Sequence, residues 1–542
     1  MKFKILFFSC LIPLIQVFNS SNLSAKEYVT HINLSIEIEL SGKVLKGVFE
    51  CNNPADLIFQ LAKGLKVEAI IANGENIGFQ KLPSDSTSIS VGWKPDKKCS
   101  KLKIIYSGKI IEENFPKTIS SQNRIASQML ELTDVIDWYP RFKNSENCTF
   151  SLTVIAPKDF GFVTNGVQTE TTATGDKKET RFASAKPVTR LFLIGSAGLK
   201  KLKVAGNNFT VEIYHTKLPD DYVERMIKSL SATVEFYQSF YQSVGSNNLI
   251  KVIYSPRPAG GYARGSLIVV SEEFASEQTE NKWGFARDFQ LNTHEIAHLW
   301  SKANWEDDWI NEGLAEFSAF LACEKMIGKE FASLLLNEYN NVIETSATEL
   351  SILETTGDSW ESHINRYYKP TVLLNPLRQK YGEEKMAEFI AALNTAFIQN
   401  QGGTTVIFLN VMEEVFGKDA YDFFQEGLNR KNWNKSNGEA TAAYDADFEG
   451  TWTGGLTQFG TTSKFVLHLK KADNKLVPVL DSPDQDVFGI PVSELKIEGD
   501  TIICVVGVAS ATFSGKLDRN TKTIHGNWRQ RDIDYPLNLS KE

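Results

Sequence analysis

Residues 293–300 read THEIAHLW, and residues 308–316 read DWINEGLAE. Two histidines four residues apart lie on one face of an α-helix, so His294 and His298 can direct both imidazoles at one metal ion. Glu295 stands next to the first histidine, where a carboxylate can serve as a general base. We therefore expect a metal centre on the helix predicted at 288–302.

The second stretch supplies the remaining ligand. A catalytic zinc ion takes three protein ligands and keeps a fourth position open. Glu312 and Glu316 lie one helical turn apart and are both candidates; we favour Glu312. Zinc lowers the pKa of a bound water from about 15.7 to about 7, and Glu295 can then accept its proton. The predicted cofactor is Zn²⁺, the predicted chemistry is hydrolysis, and Asp307 or Asp308 is the predicted N-cap of the helix.

The hydrophobic pattern divides the chain into three regions. Residues 26–207 hold short β-branched segments separated by turn-forming residues, which predicts an antiparallel β-sandwich. Residues 208–430 have mainly helical periodicity, interrupted by strands at 249–254 and 266–270. A polar linker at 431–446 leads to residues 447–542, which predict a small all-β domain, either a closed sheet or a barrel. The fold class is therefore multidomain α+β. The predicted helices of the middle region are 222–242, 288–302, 308–326, 330–345, 383–396, 406–416 and 419–428.

Composition and the first residues indicate an exported globular protein. The net charge of -8 argues against nucleic acid as the main partner. Residues 1–25 combine a positive start, an apolar run and a small-residue end at Ala25, which is typical of a signal peptide for export to the periplasm or beyond. No later stretch is long and apolar enough for stable membrane insertion.

Five cysteines follow residue 25, so they cannot all pair within the chain. Cys51 and Cys99 lie in the same region and could form a disulfide in an oxidising compartment. The alternative is that all five are free and buried, and the sequence leaves both interpretations open.

The two quoted stretches together resemble the aminopeptidase N family of gluzincin metallopeptidases. The resemblance implies a thermolysin-like, mainly helical catalytic domain, peptide substrates, and Glu312 as the third zinc ligand. Residues 138–140 and 150–153 and the turn Thr164-Asn165-Gly166 resemble the family's N-terminal sandwich. Residues 367–369 resemble its Tyr-Glu-Lys-Gly-Ala helix, so Tyr367 inherits the role of hydrogen-bonding the tetrahedral intermediate.

The chain also departs from that family. Only 13 residues separate His298 from Glu312, fewer than usual, which implies a shortened connection. Where the family carries its amine-binding glutamate, this chain has a stretch ending in Arg264, of opposite charge, preceded by Gly260 and Gly261, which could line the cleft. Three hypotheses stay open: an aminopeptidase-like enzyme acting on short peptides, an endopeptidase or other hydrolase, and a non-catalytic zinc-containing binding protein. The C-terminal tail resembles a small β domain appended to secreted bacterial hydrolases, and its role stays open.

Overall fold

The computed structural model describes residues 30–542 with internal gaps, and the predicted signal peptide lies outside the described residues. Three hydrophobic cores correspond to the three regions expected from the sequence. The described range omits residues 55, 84–86, 96, 111–123, 143–146, 243–248, 258–259, 279–282, 301–302, 304–306, 347, 358, 434–440, 459–460, 473, 486, 493, 507–508, 510 and 531–532.

The N-terminal region is built from three β-sheets around one core. Its strands are β1 Thr30–Glu39, β2 Val44–Asn52, β3 Ile58–Ala62, β4 Leu65–Ala72, β5 Glu75–Ile77, β6 Phe79–Leu82, β7 Ser88–Trp93, β8 Lys101–Lys109, β9 Arg124–Ile125, β10 Met129–Leu132, β11 Arg141–Phe142, β12 Cys148–Pro157, β13 Phe160–Thr164, β14 Val167–Thr174, β15 Lys177–Val188 and β16 Leu193–Ala197. The strand orders are β14-β15-β12-β1-β2-β8-β4-β5, β13-β16-β10-β9 and β11-β3-β7-β6. Buried residues alternate along β1, as in a strand with one face on the core.

This region matches the predicted sandwich with one correction. Strands β1 and β12 pair in parallel, with Thr30 opposite Cys148, whereas the prediction was wholly antiparallel. A parallel pair needs a long crossover, and the residues between the two strands supply it. Cys51 and Cys99, the pair considered for a disulfide, are free and buried, as are the other three cysteines after residue 25.

The middle region begins with a five-stranded sheet. Its strands are β17 Lys200–Ala205, β18 Thr210–His215, β19 Leu249–Ser255, β20 Gly261–Arg264 and β21 Leu267–Ser271. The order is β17-β18-β19-β21-β20, so β20 is an edge strand. The domain boundary predicted at 207 falls too late, because β17 pairs with β18 and belongs to this sheet.

Helices complete the middle region. They are α1 Asp220–Phe240, α2 Glu272–Gln278, α3 Gly284–Ala297, α4 Asp308–Met326, α5 Lys329–Thr345, α6 Trp360–His363, α7 Lys369–Tyr381, α8 Glu383–Gln399, α9 Thr405–Phe416 and α10 Lys418–Asn429, with a π-helical turn at Ile364–Tyr368 between α6 and α7. None of the described helices is long and apolar enough to cross a bilayer.

One local prediction about these helices was wrong, and another holds in position only. The helix carrying the histidines was predicted to reach residue 302 but ends at Ala297, because Leu299 and Trp300 donate to carbonyls three residues back and turn into the core. Asp307 occupies the N-cap position of α4 but makes no capping hydrogen bond there. Its carboxylate instead accepts a hydrogen bond from the Thr405 hydroxyl.

A buried lysine joins the first two regions. The ammonium group of Lys251 on β19 donates to the carbonyls of Thr164, at 2.7 Å, and of Gly166. Burial lowers the pKa of Lys251 to about 8. The Thr164-Asn165-Gly166 turn singled out in the sequence is thus an attachment point between the sandwich and the middle sheet.

The C-terminal region is the all-β domain that the sequence predicts. Its strands are β22 Ala442–Ala443, β23 Gly450–Gln458, β24 Thr461–Ala472, β25 Lys475–Ser482, β26 Val487–Pro491, β27 Glu494–Glu498, β28 Thr501–Val506, β29 Ala511–Asp518, β30 Thr523–Gln530 and β31 Ile533–Lys541. The main path runs β22-β25-β24-β23-β31-β30-β29-β28-β27, with β26 paired to β25. The two ends of the path, β22 and β27, lie beside each other, so the sheet curves back on itself around Trp452.

Candidate metal and active site

The structure brings together the three predicted metal ligands. His294 and His298 come from the end of α3, and Glu312 comes from the first turns of α4. Their potential ligand atoms all lie within 4.8 Å of one another. Glu312 Oε2 is 3.2 Å from His294 Nε2 and 3.5 Å from His298 Nε2. Two imidazoles and a carboxylate therefore converge on one point.

Glu316, the alternative third ligand, contacts the other side of the same histidine. Its Oε2 atom is 2.8 Å from His294 Nδ1. Its Oε1 atom accepts hydrogen bonds from Gln290 Nε2, at 2.7 Å, and from the Tyr339 hydroxyl. A carboxylate on Nδ1 holds the proton there and leaves the Nε2 lone pair available to a metal. This arrangement favours Glu312 as the ligand and Glu316 as the group that orients His294.

The charges at this point suit a divalent cation. Burial raises the pKa of Glu312, but hydrogen bonds from His294 and His298 outweigh it and hold that pKa well below its usual range. The pKa of Glu316 is lowered in the same way, against its own burial, by His294 and Tyr339. Two nitrogen donors and one anionic oxygen at the wall of an open cleft are the ligand set of a catalytic zinc site, so the residues fit the ion.

Glu295 lies directly under the edge strand of the middle sheet. Its side chain is buried, it lines the cleft, and burial raises the pKa of its carboxyl. A Cβ atom placed on Gly261 would lie 3.2 Å from Glu295 Oε1. The backbone of β20 therefore passes immediately beside the predicted general base, in a cleft of about 900 Å³.

Tyr367 reaches the same point from the π-helical turn. Its ring stacks on that of His294 with centroids 5.4 Å apart, and its hydroxyl hydrogen-bonds Glu312. The ring of His363 also stacks on the ring of Tyr367, with centroids 4.2 Å apart. Burial raises the pKa of Tyr367, so its phenol keeps the proton that it can donate. Such π-helical turns recur at functional sites.

A close approach between two helices positions the turn that carries Tyr367. Pro370 of α7 packs on Gly313 of α4. A Cβ atom on Gly313 would lie 2.6 Å from Cβ of Pro370. The absent side chain at position 313 thus makes room for the proline and sets the distance between α4 and the turn that carries Tyr367.

Three described contacts tie the start of α4 and the residue Ala303 before it to their surroundings. The amide of Ala303 donates to Asn311 Oδ1 at 3.0 Å, and Ala303 forms a bridge with Gly403. Asp308 lies 3.8 Å from the guanidinium of Arg366 in the π-helical turn. These contacts hold the start of α4 in place despite the short link.

Gly260, Gly261 and Arg264, the predicted substrate-binding residues, all line the cleft. Gly260 has a φ of +69°, which favours glycine, and it leads into β20. Arg264 Nε donates to Asp134 Oδ1 of the N-terminal region at 2.9 Å. Among the described residues that line the cleft, the carboxylates come from α3 and α4 and none from β20.

Several cleft residues were not found from the sequence. Gln290 precedes His294 by one helical turn, so helical periodicity could have placed it on the same face. Trp360 and His363 lie on a short helix that was not among the predicted ones. The C-terminal domain contributes residues that carry no local signal at all. These are Gln458, Gln530, Ile533 and Tyr535.

Comparison with known proteins agrees with this geometry. Residues 225–426 match the model of the Peptidase family M1 domain. The chain is 22% identical over 385 residues to a leucyl aminopeptidase of Saccharolobus solfataricus, covering 66% of this chain and 47% of the relative. It is 23% identical over 246 residues to an alanine/arginine aminopeptidase of Saccharomyces cerevisiae, covering 42% and 28%. The chain thus spans about half, or less, of the length of these curated relatives.

Solved structures show the same fold at low sequence identity. The M1 zinc metallopeptidase from Deinococcus radiodurans superposes with a TM-score of 0.55 at 16% identity, covering 74% of this chain and 94% of that one. A mutant of that protein bound to a Tyr-Ser-Ala substrate gives a TM-score of 0.53 at 17% identity with the same coverage. The matched M1 domain contains the residues that converge at the cleft, so residues 225–426 form a Peptidase family M1 domain, on a fold shared with solved M1 zinc metallopeptidases.

Proposed function

We propose that this protein is a zinc-dependent metallopeptidase that hydrolyses peptide bonds in the cleft between its sheet and helices. One observation carries the proposal: the ligand atoms of His294, His298 and Glu312 lie within 4.8 Å of one another, beside the buried carboxylate of Glu295. A zinc ion held by those three residues supplies an acidified water and polarises a carbonyl group.

The edge strand offers a binding surface for a peptide backbone. Strand β20 pairs with β21 along one side, and among the described strands nothing pairs with its other side. An extended peptide can add to such an edge through main-chain hydrogen bonds. Because Gly261 lies beside Glu295, a peptide bound along this edge has a backbone carbonyl close to the base.

The residues around that carbonyl have complementary tasks. Glu295 takes a proton from the attacking water and delivers it to the leaving nitrogen, and burial favours this exchange because it raises the pKa of the carboxyl. Tyr367 donates a hydrogen bond to the oxyanion that develops on the substrate. Glu316 keeps the His294 ring in one orientation throughout.

The named relatives favour an aminopeptidase-like action on short peptides, but the edge strand favours a second candidate. A cationic amine in a desolvated pocket needs an anionic partner. Strand β20 ends in Arg264 where the family places a glutamate. An endopeptidase, or an enzyme indifferent to the free amino end, is therefore the alternative that this site supports.

The decisive experiment compares the zinc-loaded protein with its Glu295→Gln variant on a mixed peptide library read by mass spectrometry. We expect hydrolysis to be lost while stoichiometric zinc stays bound. Glu388→Gln, an exposed glutamate on α8, is the matched control and should retain full activity. Equal turnover in the Glu295→Gln variant contradicts the mechanism, and a wild-type protein that binds zinc but cleaves nothing indicates a binding protein.

A second comparison separates the two modes of cleavage. Each peptide is offered with a free amino end and with an acetylated one. Strong preference for the free amine supports the aminopeptidase-like assignment. Equal rates support the endopeptidase alternative and assign no amine-binding role to this cleft.

Export also remains a proposal. The first 25 residues have the positive start, apolar run and small-residue end of a signal peptide. N-terminal sequencing of the protein secreted by an expressing cell tests it, with a new amino terminus near residue 26 as the expected result and an intact Met1 as the contrary one.

A further inference from the structure

The cleft has a wall that does not come from the catalytic region. Gln458 ends β23, Gln530 ends β30, and Ile533 and Tyr535 begin β31. These three strands are neighbours in the C-terminal sheet. Because the pairing is antiparallel, the four residues gather at one end of the sheet, and that end faces the cleft.

The wall can be placed relative to the metal ligands. Arg287, Gln290 and His294 lie on one face of α3 at steps of three and four residues. Arg287 and Gln290 also line a second cavity, of about 60 Å³, together with Ala509 and Gln530 of the C-terminal domain. A helix rises about 1.5 Å per residue, so this junction lies on the order of 10 Å along α3 from His294.

Trp360 joins the two domains at this junction. Its ring packs against the hydrophobic cores of both the middle and C-terminal regions and stacks on His363. It lines both the cleft and the smaller cavity. Its buried Nε1–H has no hydrogen-bond acceptor among the residues that the structure describes. Buried donors normally have a partner, and none is described for this one.

Hydrogen bonds link the polar side chains of the wall, and the charge beside it is paired. Gln530 donates to the carbonyl of Ala509 at 2.8 Å and accepts from Gln458 Nε2 at 2.9 Å and Trp528 Nε1 at 3.1 Å. The guanidinium of Arg287 is paired with both carboxylate oxygens of Glu338. The surface presented to a ligand is therefore amide and aromatic.

We propose that the C-terminal β domain is a substrate-recognition element, whose residues Gln458 and Tyr535, with Trp360 at the domain junction, contact one uncharged residue of the bound peptide. This inference rests on the proposed peptidase function and extends it to the substrate's side-chain class. A peptide binds well when the residue that contacts the wall is uncharged. A charged residue at the same place is disfavoured because the wall offers no counter-charge.

The test places a charge on the wall of the full-length, zinc-loaded protein. Gln458→Glu and Gln458→Lys are each assayed on a peptide library in which single positions carry lysine, glutamate or alanine. We expect the Glu variant to favour lysine and the Lys variant to favour glutamate at one and the same position, by on the order of fivefold in kcat/KM relative to alanine.

A neighbouring residue provides the matched control. Thr457 precedes Gln458 on β23 and is exposed on the opposite face of the strand. Thr457→Glu and Thr457→Lys introduce the same charges and should leave selectivity unchanged. If the Gln458 and Thr457 pairs behave alike, or if neither Gln458 variant shifts selectivity, the wall does not contact the substrate.

A binding measurement separates this inference from the proposed function. The Gln458 variants are combined with Glu295→Gln, and the affinity for lysine- and glutamate-containing peptides is measured by calorimetry. A reciprocal shift in affinity without any cleavage by the parent protein supports the wall and contradicts the peptidase. Cleavage by the parent with no shift in either affinity or kcat/KM contradicts the wall alone.

Discussion

Replacing Glu316 tests whether one carboxylate binds the metal and the other only orients a ligand. Glu316 contacts His294 Nδ1 at 2.8 Å and is itself held by Gln290 and Tyr339. Glu316→Gln keeps the shape and one acceptor for the histidine but loses the charge. Glu316→Ala removes the contact altogether.

The expected losses follow from these contacts. A hydrogen bond to a charged group is worth about 1 kcal/mol more than one between neutral groups, so Glu316→Gln should weaken zinc binding by on the order of fivefold to tenfold. Groups that orient a histidine ligand are typically worth 10–100-fold in metal affinity, and Glu316→Ala should approach ~100-fold, or about 2.7 kcal/mol. The alanine variant also leaves the Tyr339 hydroxyl without its acceptor, which should lower the free energy of unfolding by about 1–3 kcal/mol, whereas the Gln290 amide keeps the Tyr339 oxygen as a partner.

Zinc affinity is measured by competition with a chromophoric chelator, alongside Glu312→Ala and a control. Glu324→Gln is the matched control, because it lies on the same helix and pairs with Arg378, away from the cleft. We expect Glu312→Ala to lose at least about tenfold more affinity than Glu316→Ala, since it removes a direct ligand. Equal losses of zinc affinity in Glu312→Ala and Glu316→Ala would indicate that Glu316 also binds the metal. Wild-type zinc affinity in Glu316→Ala would contradict the orienting role of Glu316.

Three further predictions address the oxyanion, the helix contact and a buried acid. Tyr367→Phe should lower kcat by about 10²–10³ with unchanged zinc stoichiometry, measured by steady-state kinetics and metal analysis. Gly313→Ala should lower Tm and activity, at a cost of about 1–3 kcal/mol, because its methyl group meets Pro370, whereas Gly78→Ala, with open space around it, should be neutral. Burial raises the pKa of Asp288 to about 6, above its unfolded value near 4, so its contribution to stability is present below about pH 4 and is lost as pH rises through about 6. Denaturant unfolding of the metal-free protein should show this loss, about 2–3 kcal/mol, in the wild type but not in Asp288→Asn.

The metal motif was readable from the sequence because helical geometry is local. The four-residue spacing fixes the relation of His294 to His298 whatever surrounds them. The same rule could not separate Glu312 from Glu316, which share a helical face by the same spacing. Only the packing of α4 against α3 shows that each carboxylate addresses a different nitrogen of His294.

The predicted end of α3 and the predicted domain boundary at 207 were wrong for a similar reason. Leu299 and Trp300 continue the apolar period of α3, which predicts more helix, but both turn into the core instead. Strand β17 resembles the sandwich strands before it, and only its pairing with β18 assigns it to the middle sheet. The wall formed by the C-terminal domain depends on docking between distant segments, and no periodicity encodes that.

Buried hydrogen bonds hold α3, the helix that carries the histidines, against its neighbours in the middle region. Asp288 and Asn292 hydrogen-bond each other, and the hydroxyl of Tyr254 donates to Asp288, so this face of α3 is tied to β19. Tyr237 of α1 donates to the carbonyl of Thr293 at 3.1 Å, next to the first ligand.

These buried contacts belong to the middle region and hold the reacting groups in one geometry, as electrostatic catalysis requires. Part of the proposed substrate-facing surface comes from the flanking domains: Asp134 of the sandwich positions Arg264, and the C-terminal sheet lines the cleft with Gln458 and Tyr535. Because the two sets share no residues, substitutions in the flanking domains should change which peptides are bound while leaving zinc affinity untouched. If the Gln458 variants lost zinc affinity together with peptide selectivity, the C-terminal domain would instead support the metal site itself.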